Sequence, residues 1–303
     1  MATSSVDKFS KSVDAQSYDS YAESYGKYIA TLSAPLAIRL CELAELKAGQ
    51  QVLDVASRTG VSSRAAAKIV GTTGSVTGID LSEGMVRTSE YLSSTYSNLT
   101  FLQMDAEKMD FPDNSFDSII ALCAMTHFPH VDLAIDEMFR VVRPGGYVVV
   151  SYGAGFPAGG AGLMRHRAKR VGQVAQKRCL FAPALLCKLS AKVLGQGHED
   201  GVLTSWSKHH PHKHIMKCLR SSGFSNVSQS WDGHDVEFSS PDMYWEAQLS
   251  IVTDVRKRLD KADPKIERQL KSDFLIKARK VVALGGKLLY PYGAIFIKAQ
   301  KPA

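Results

Sequence analysis

Residues 51–85 read QVLDVASRTG VSSRAAAKIV GTTGSVTGID LSEGM, and this stretch decides the fold. Apolar runs at 52–55 and 76–79 are typical of short strands that are buried on both faces. Between them, a turn of mostly small residues at 56–60 leads into a segment with helical apolar spacing, which ends at Gly71. The stretch therefore predicts a strand, a tight turn, a helix and a second strand.

Three residues of this stretch predict the kind of ligand. Asp80 ends the second strand about 20 residues beyond Gly60, the spacing at which a carboxylate binds the ribose hydroxyls of an adenosine cofactor. A dinucleotide site requires several glycines in this turn, because a pyrophosphate approaches the backbone, and here Gly60 is the single glycine. Asp54 places a negative charge beside the turn, which suits an amino or sulfonium group better than a phosphate.

The segments VLDVASRTG and GIDLSEGM resemble the class I S-adenosylmethionine (SAM) methyltransferases, in particular the small-molecule group that includes the ubiquinone and menaquinone C-methyltransferases. Four later segments resemble the same family, in the same order: LTFLQMDAE at 99–107, FPDNSFD at 111–117, THFPH at 126–130 and RVVRPGG at 140–146. The resemblance covers about residues 18–151. It implies SAM-dependent methyl transfer to oxygen, carbon or nitrogen of a fairly apolar small-molecule acceptor.

The resemblance implies an α/β fold, a Rossmann-like sheet of seven strands in the order 3-2-1-4-5-7-6 with helices on both faces. Residues 1–153 are expected to form the N-terminal helices and the SAM-binding core, and residues 154–210 a helical cap inserted after strand five. Residues 211–303 would complete the core with strands six and seven and an inserted helical segment. We also expect a loosely attached chain up to Ala15 and a helix that begins at Pro35.

The resemblance also assigns site residues. His127 follows strand four, where donor and acceptor should meet, and is the candidate general base or orienting group; a local role in shaping the pocket stays open. The residues expected to bind SAM are Tyr25, Asp54, Ala56, Ser57, Gly60, Asp80, Leu81, Met85, Asp105, Ala106 and Leu122. Among them, Asp105 would accept a hydrogen bond from the adenine amino group, or alternatively cap a loop.

Two further assignments rest on the resemblance. Met85 would lie on the adenine, which is compatible with core packing. Tyr25 would reach the methionine end of SAM, or would simply pack its helix on the core.

Arg58 departs from the family, which places glycine there because the backbone passes close to the methionine part of SAM. A long cation at this position adds bulk and repels a sulfonium. Three outcomes are open. The arginine is accommodated, by turning away or by pairing with the SAM carboxylate; it weakens SAM binding; or the site serves a methyltransferase-fold protein in which methyl transfer is lost or diverted. Our hypothesis is the first.

Charge and composition limit the partners. The net charge of +7 fits a solvated surface, and the basic residues concentrated at 165–192 leave open a peripheral contact with a membrane. The sequence after strand four, AMTHF, lacks the N/D-P-P-Y/F motif of methyltransferases that act on nucleic-acid amines. We therefore expect no DNA partner, and methylation of RNA is less favoured than methylation of a small molecule.

No metal is expected at the histidine-rich stretch 208–214, because its lysines repel a cation. Five cysteines without a CxxC pair, no secretory signal and no apolar run of membrane-spanning length predict a cytoplasmic protein. The sequence does not determine the acceptor or the oligomeric state.

Overall fold

The computed structural model describes residues 5–154, 179–195 and 211–303, so most of the predicted cap, at 155–178 and 196–210, lies outside the described residues. The chain divides into two compact units. The first unit takes in residues 1–154, 202–232 and 294–303, and the second takes in residues 155–201 and 233–293.

Helices and strands alternate through the first half of the chain. In order they are α1 (Ser5–Asp19), α2 (Ala22–Leu43), β1 (Gln51–Val55), α3 (Val61–Val70), β2 (Ser75–Asp80), α4 (Glu83–Leu92), β3 (Leu99–Gln103), β4 (Phe116–Ala121), a short 3-10 helix (Met125–His127), α5 (Val131–Val141) and β5 (Val142–Gly153). The second half contains β6 (Cys179–Phe181), α6 (Ala182–Leu194), α7 (Pro211–Ser221), β7 (Ser225–Phe238), α8 (Pro241–Ile251), α9 (Thr253–Asp260), α10 (Pro264–Ala283) and β8 (Lys287–Gln300).

The sheet has the predicted topology. β1 pairs in parallel with β2 on one side and β4 on the other, β2 continues to β3, and β4 continues to β5. β8 runs antiparallel to β5 and also pairs with β7. Since β7 and β8 are the sixth and seventh strands of the expected fold, the order 3-2-1-4-5-7-6 is confirmed. The added strand β6 pairs in parallel with the first residues of β8.

The carboxyl ends of β1, β2 and β4 meet at one edge of the sheet, because parallel strands all point the same way. Helices α5 and α7 cover one face, where Ile135, Met138, Ile215 and Leu219 are fully buried in the main core of the first unit. This packing fixes the strand ends, and with them the loops that carry the predicted site residues.

The N-terminal expectations were wrong. Residues 5–19 form helix α1 rather than a loose tail, and α2 is one helix of 22 residues that runs through Pro35 instead of starting there. A proline inside a helix removes one backbone hydrogen bond. Helix α2 nevertheless continues, because its buried residues recur every three or four positions on both sides of the proline: Ala22, Tyr25, Ile29, Leu32, Leu36, Leu40 and Cys41.

The second unit has its own core, which α6, α8, α9 and α10 share with the start of β8. Tyr244 is fully buried there, and its hydroxyl donates to the carbonyl of Leu289 over 2.7 Å. The predicted cap was purely helical, whereas residues 179–181 form strand β6 before α6. In the described ranges, no helix combines the length and the apolar character that crossing a membrane requires.

Candidate active site

The turn after β1 is tightly folded against β2 and β3. The Ser57 amide donates to the carbonyl of Ile79 over 2.9 Å, and the Gly60 amide donates to the carbonyl of Ser57 over 2.9 Å. Gly60 has a φ of 78°, and a side-chain carbon there would lie 2.7 Å from the Phe101 ring. Glycine is therefore required at this position for two reasons, its backbone conformation and the close approach of the ring.

In the part of the chain that the structure describes, three buried polar atoms at the end of β1 and in this turn lack a hydrogen-bond partner. Asp54 is fully buried, and its Oδ2 accepts from the hydroxyls of Ser62 (2.7 Å) and Ser63 (2.5 Å) at the start of α3. The three atoms without a partner among the described residues are Asp54 Oδ1, Ser57 Oγ and Thr59 Oγ1. Such atoms cost free energy unless a ligand or water satisfies them. The residues of this turn therefore fit a polar ligand.

Burial also affects the charge of the site. It raises the pKa of Asp54 to about 6, against the opposing effect of the two serine hydrogen bonds. Asp80 shows the same direction: burial raises its pKa, while hydrogen bonds from the backbone oppose the rise. The Arg58 charge lowers the pKa of both carboxyl groups. A positively charged ligand group near these two carboxylates would act in the same direction as Arg58.

Asp80 and Asp105 lie on neighbouring strand ends. Asp80 pairs in register with Gln103, and its carbonyl accepts from the Met104 amide over 3.0 Å. The Asp80 carboxylate accepts from the amides of Arg58 (2.9 Å) and Ser82 (3.0 Å), so the backbone on both sides holds it. The structure thus brings these two predicted carboxylates to the same edge of the sheet.

Asp105 is part of an ion-pair cluster that the sequence did not predict. The Lys11 ammonium lies 2.5 Å from Asp105 Oδ1 and 2.7 Å from Glu107 Oε2. Lys11 belongs to α1, 94 residues away from Asp105 in the sequence. A single lysine in a segment expected to be loosely attached carries no signal of such a contact, so sequence reasoning missed both Lys11 and Glu107.

The predicted apolar residues of the site lie close to these carboxylates in the sequence and are largely buried. Met85 in α4 is fully buried, and Ala106 and Leu122 are nearly so. Leu81 is half-buried, and its carbonyl accepts from the Gln103 side chain over 3.1 Å. Ala56 has a φ of 54° and packs against the main core. Ala56, Leu81 and Leu122 directly follow β1, β2 and β4, so three of these apolar residues lie at the carboxyl edge of the sheet.

Arg58 points from the turn towards helix α2 and the end of β4. Its guanidinium donates to the Tyr25 hydroxyl over 2.5 Å and also to the carbonyl of Cys123. Arg58 and Cys123 both have positive φ angles, 51° and 50°. Burial raises the pKa of Tyr25, and the Arg58 charge opposes that rise. The arginine therefore joins the turn, helix α2 and the loop after β4.

Histidines lie in two places near the carboxyl end of the sheet. His127 is exposed in the 3-10 helix, and its ring meets the Tyr18 ring edge to face at a centroid distance of 6.4 Å. His212 is buried, with Nδ1 3.2 Å from the Tyr152 hydroxyl near the end of β5. Of the histidine-rich stretch, residues 208–210 lie outside the described residues.

Comparison with known protein families and sequences identifies the domain. Residues 53–150 match the family described as "Methyltransferase domain". The ubiquinone/menaquinone biosynthesis C-methyltransferase UbiE of Pseudomonas aeruginosa (strain LESB58) is 38% identical over 112 residues. Those residues are 36% of this chain and 44% of that protein, so the match spans less than half of that relative's length.

Two solved structures share the fold. Haemonchus contortus phosphoethanolamine N-methyltransferase 2, in complex with S-adenosyl-L-methionine, superposes with a TM-score of 0.52 at 18% identity, over 94% of this chain and 57% of that chain. The [4+2]-cyclase SpnF superposes with a TM-score of 0.50 at 19% identity, over 89% of this chain and 81% of that chain. At these identities the likeness shows the fold alone.

Proposed function

Since residues 53–150 carry a methyltransferase domain of the class I fold, we propose that this chain transfers a methyl group from SAM to a fairly apolar small-molecule acceptor. One observation carries the proposal: Asp54 at the end of β1, and Ser57 and Thr59 in the turn after it, each have a buried polar atom with no hydrogen-bond partner among the described residues. The Asp80 carboxylate accepts from the Arg58 amide of the same turn. A polar ligand in this turn would satisfy the three buried atoms, and the amino-acid part of SAM has the required amino and carboxylate groups.

Each predicted residue has a defined task in this proposal. Asp80 accepts from the ribose hydroxyls, and Asp105 accepts from the adenine amino group. Met85, Ala106 and Leu81 provide the apolar surface for the adenine, while Leu122 and Ala56 line the cleft beside the turn. Asp54 and Ser57 face the amino-acid part, with Gly60 allowing the turn to close and Tyr25 covering that end.

The chain contributes alignment and a dry environment. SAM, when bound, supplies a methyl group on a positively charged sulfur, and the sulfur is the leaving group when the acceptor atom attacks the methyl carbon in line. The residues at the strand ends hold donor and acceptor at reacting distance, which is the largest part of the catalytic work. Apolar walls exclude water. His127, exposed at the mouth beside Tyr18, takes the proton that an oxygen or nitrogen acceptor releases.

The apolar small-molecule acceptor is supported by the similarity, over 36% of this chain, to a ubiquinone/menaquinone biosynthesis C-methyltransferase. The division into a core at 1–153, a helical cap at 154–210 and a second core segment at 211–303 is part of the same proposal.

Calorimetric titration with S-adenosylhomocysteine (SAH) tests the donor site directly. We expect micromolar binding, weakened about tenfold or more by Asp80→Asn, because a ribose hydroxyl then loses a charged acceptor. Asp110→Asn is the control, since Asp110 is exposed beyond the site. A screen of phenols, quinols, sterols, fatty acids and amines with methyl-labelled SAM then identifies the acceptor. Absence of SAH binding in the wild-type protein contradicts the proposal.

A second candidate function rests on Arg58. Its guanidinium contacts Tyr25 and the Cys123 carbonyl, which is the region assigned to the amino-acid part of SAM. If the arginine keeps this position, the chain is a methyltransferase-fold protein in which methyl transfer is lost or diverted. This candidate predicts that wild-type protein fails to bind SAH and that Arg58→Gly restores binding.

A further inference from the structure

The ion-pair cluster at the N-terminal helix has a consequence for cofactor recognition. We infer that Lys11 is a positioning residue of the donor site, which orients Asp105 for the adenine amino group and joins it to the loop after β4. This inference rests on the proposed function, because it concerns the same adenosine site.

The contacts of Lys11 are short and shielded. Its ammonium lies 2.5 Å from Asp105 and 2.7 Å from Glu107, and the exposed fractions of the three side chains are 14%, 36% and 5%, respectively. A lysine that is only 14% exposed and lies between two carboxylates is held in one place, unlike a surface lysine with a single partner. Lys11 therefore fixes both acidic side chains relative to α1.

The hydrogen bonds of Asp105 select one of its two oxygens. Lys11 donates to Oδ1, and the Glu107 amide donates to the same atom over 2.9 Å. Within the described residues, both side-chain hydrogen bonds of Asp105 end on Oδ1. Oδ2 thus remains for a donor from outside, and Asp105 is exposed enough to receive one. An adenine amino group is such a donor.

Glu107 extends the cluster towards the acceptor side. Its Oε2 faces Lys11, while its Oε1 accepts from the His130 amide over 3.0 Å. His130 lies three residues after His127, the candidate base. One lysine in α1 is therefore connected both to the adenine-binding carboxylate and to the loop that carries the candidate base.

The other end of α1 is attached to the same site. Asp19 accepts from the Ser82 hydroxyl over 2.6 Å and from the Gly84 amide over 2.9 Å, at the start of α4. The two backbones are so close that a side-chain carbon on Gly84 would lie 2.5 Å from the Asp19 Cα. Lys11 and Asp19 are separated by about two helical turns. Helix α1 is thus anchored at two points along the adenosine site.

Removing the lysine should weaken adenine recognition specifically. Without its ammonium, Asp105 and Glu107 repel each other, and the Glu107 amide alone is left to hold Asp105 Oδ1. Because adenine is neutral, the Lys11 ammonium does not repel it. For Lys11→Met we expect SAH affinity to fall about three- to tenfold, the range of one charge-assisted hydrogen bond that is partly exposed.

The test compares two ligands by calorimetry, SAH and S-inosylhomocysteine, in which a carbonyl replaces the adenine amino group. Lys11→Met should weaken SAH binding as stated and change S-inosylhomocysteine binding by less than about twofold, because that ligand has no amino group for Asp105. Lys11→Arg, which keeps the charge, should restore most of the SAH affinity. Lys108→Met is the matched control, since Lys108 is an exposed lysine in the same loop as Asp105.

Three results would overturn the inference. Unchanged or tighter SAH binding by Lys11→Met means that the lysine is neutral or obstructs the site. An equal loss of affinity for both ligands means that Lys11 affects only folding. Urea unfolding of the variant measures that effect independently. If the wild-type protein does not bind SAH, both the proposed function and the inference are contradicted. If the wild-type protein binds SAH and Lys11→Met binds it equally well, only the inference is contradicted.

Discussion

The Arg58 guanidinium donates a hydrogen bond to the Tyr25 hydroxyl over 2.5 Å, and the carbonyl of Cys123 accepts from the same guanidinium. A charged residue from the turn after β1 thus reaches the buried face of α2. Arg58 thereby places a positive charge at the donor site that we propose, where the resemblance implies glycine.

Arg58 should discriminate between the charged donor and its neutral product. SAM carries a positive sulfur and SAH does not, so the guanidinium disfavours SAM alone, by on the order of 1 kcal/mol or about fivefold. We expect Arg58→Met and Arg58→Gly to raise the ratio of SAM to SAH affinity by about that factor, and Arg58→Lys to leave it unchanged. Calorimetry with both ligands measures the ratio. A ratio that follows side-chain size rather than charge contradicts this explanation.

Gly60 should be much less tolerant of substitution than a glycine with the same backbone angle. Gly60 and Gly145 have φ angles of 78° and 79°. A side-chain carbon on Gly60 would lie 2.7 Å from Phe101, whereas one on Gly145 would have no described atom within 4 Å. Gly145→Ala should therefore lose about 1 kcal/mol of unfolding free energy through backbone strain, and Gly60→Ala about 2–4 kcal/mol through strain and overpacking. Urea unfolding measures both.

A second change would identify the cause of the Gly60 effect. Replacing Phe101 with leucine in the Gly60→Ala background should recover part of the lost free energy, because the ring contact is removed. Equal destabilisation by Gly60→Ala and Gly145→Ala would mean that the ring yields easily and that backbone strain alone matters.

Asp54 should make the free energy of unfolding depend on pH. Burial raises the pKa of its carboxyl group from 3.8 to about 6, so between about pH 4 and 6 the folded protein holds a proton that the unfolded chain has lost. The contribution of Asp54 to the free energy of unfolding is therefore fully present below pH 4 and is lost as the pH rises through 6. The loss is about 3 kcal/mol.

The measurement is urea unfolding at several pH values between about 4 and 7. Asp54→Asn should remove the part of the fall in unfolding free energy with rising pH that Asp54 causes. Asp110→Asn, at an exposed carboxylate, should leave that fall unchanged. Because the burial of Asp80 acts in the same direction, the difference between the two variants is the relevant quantity. Parallel pH profiles for both variants would show that Asp54 does not titrate in this range.

His127 should affect the chemical step and not donor binding. With the acceptor identified by the labelled-SAM screen, we expect His127→Gln to lower kcat about a hundredfold and to remove the acidic limb of the pH–rate profile. The SAH affinity should stay within about twofold, because no donor-binding task is assigned to this side chain. A fall in SAH affinity with unchanged kcat would make His127 part of the donor site instead.

The positions of the first two strands were predictable because apolar runs are local signals, whereas the order of the strands came from the family resemblance. Val52 to Val55 and Val76 to Ile79 are short, buried on both faces and followed by turn residues, so each strand could be placed from its own sequence. Asp80 could be placed at the strand edge for the same reason, whereas Asp105 was placed there by the resemblance, since in β3 only Phe101 is buried. The shared edge is a consequence of the parallel arrangement.

Contacts between distant segments could not be read in this way. Lys11 reaches Asp105 across 94 residues, and nothing in its neighbours marks it as buried. The direction of Arg58 depends on a positive φ that sequence patterns do not assign to arginine. Pro35 predicted the start of a helix, but the apolar surface on both sides of it keeps α2 continuous. In each case tertiary packing overrides a local preference.

Helix α2 contains its own chemical reporter. Cys41 is fully buried near the end opposite Tyr25, and burial raises the pKa of its thiol to about 12. Such a thiol reacts with alkylating reagents only when the helix separates from the sheet, so the rate of its modification counts those openings. A ligand that presses Tyr25 inward should lower the alkylation rate of Cys41, more than four helical turns away, and no engineered label is needed.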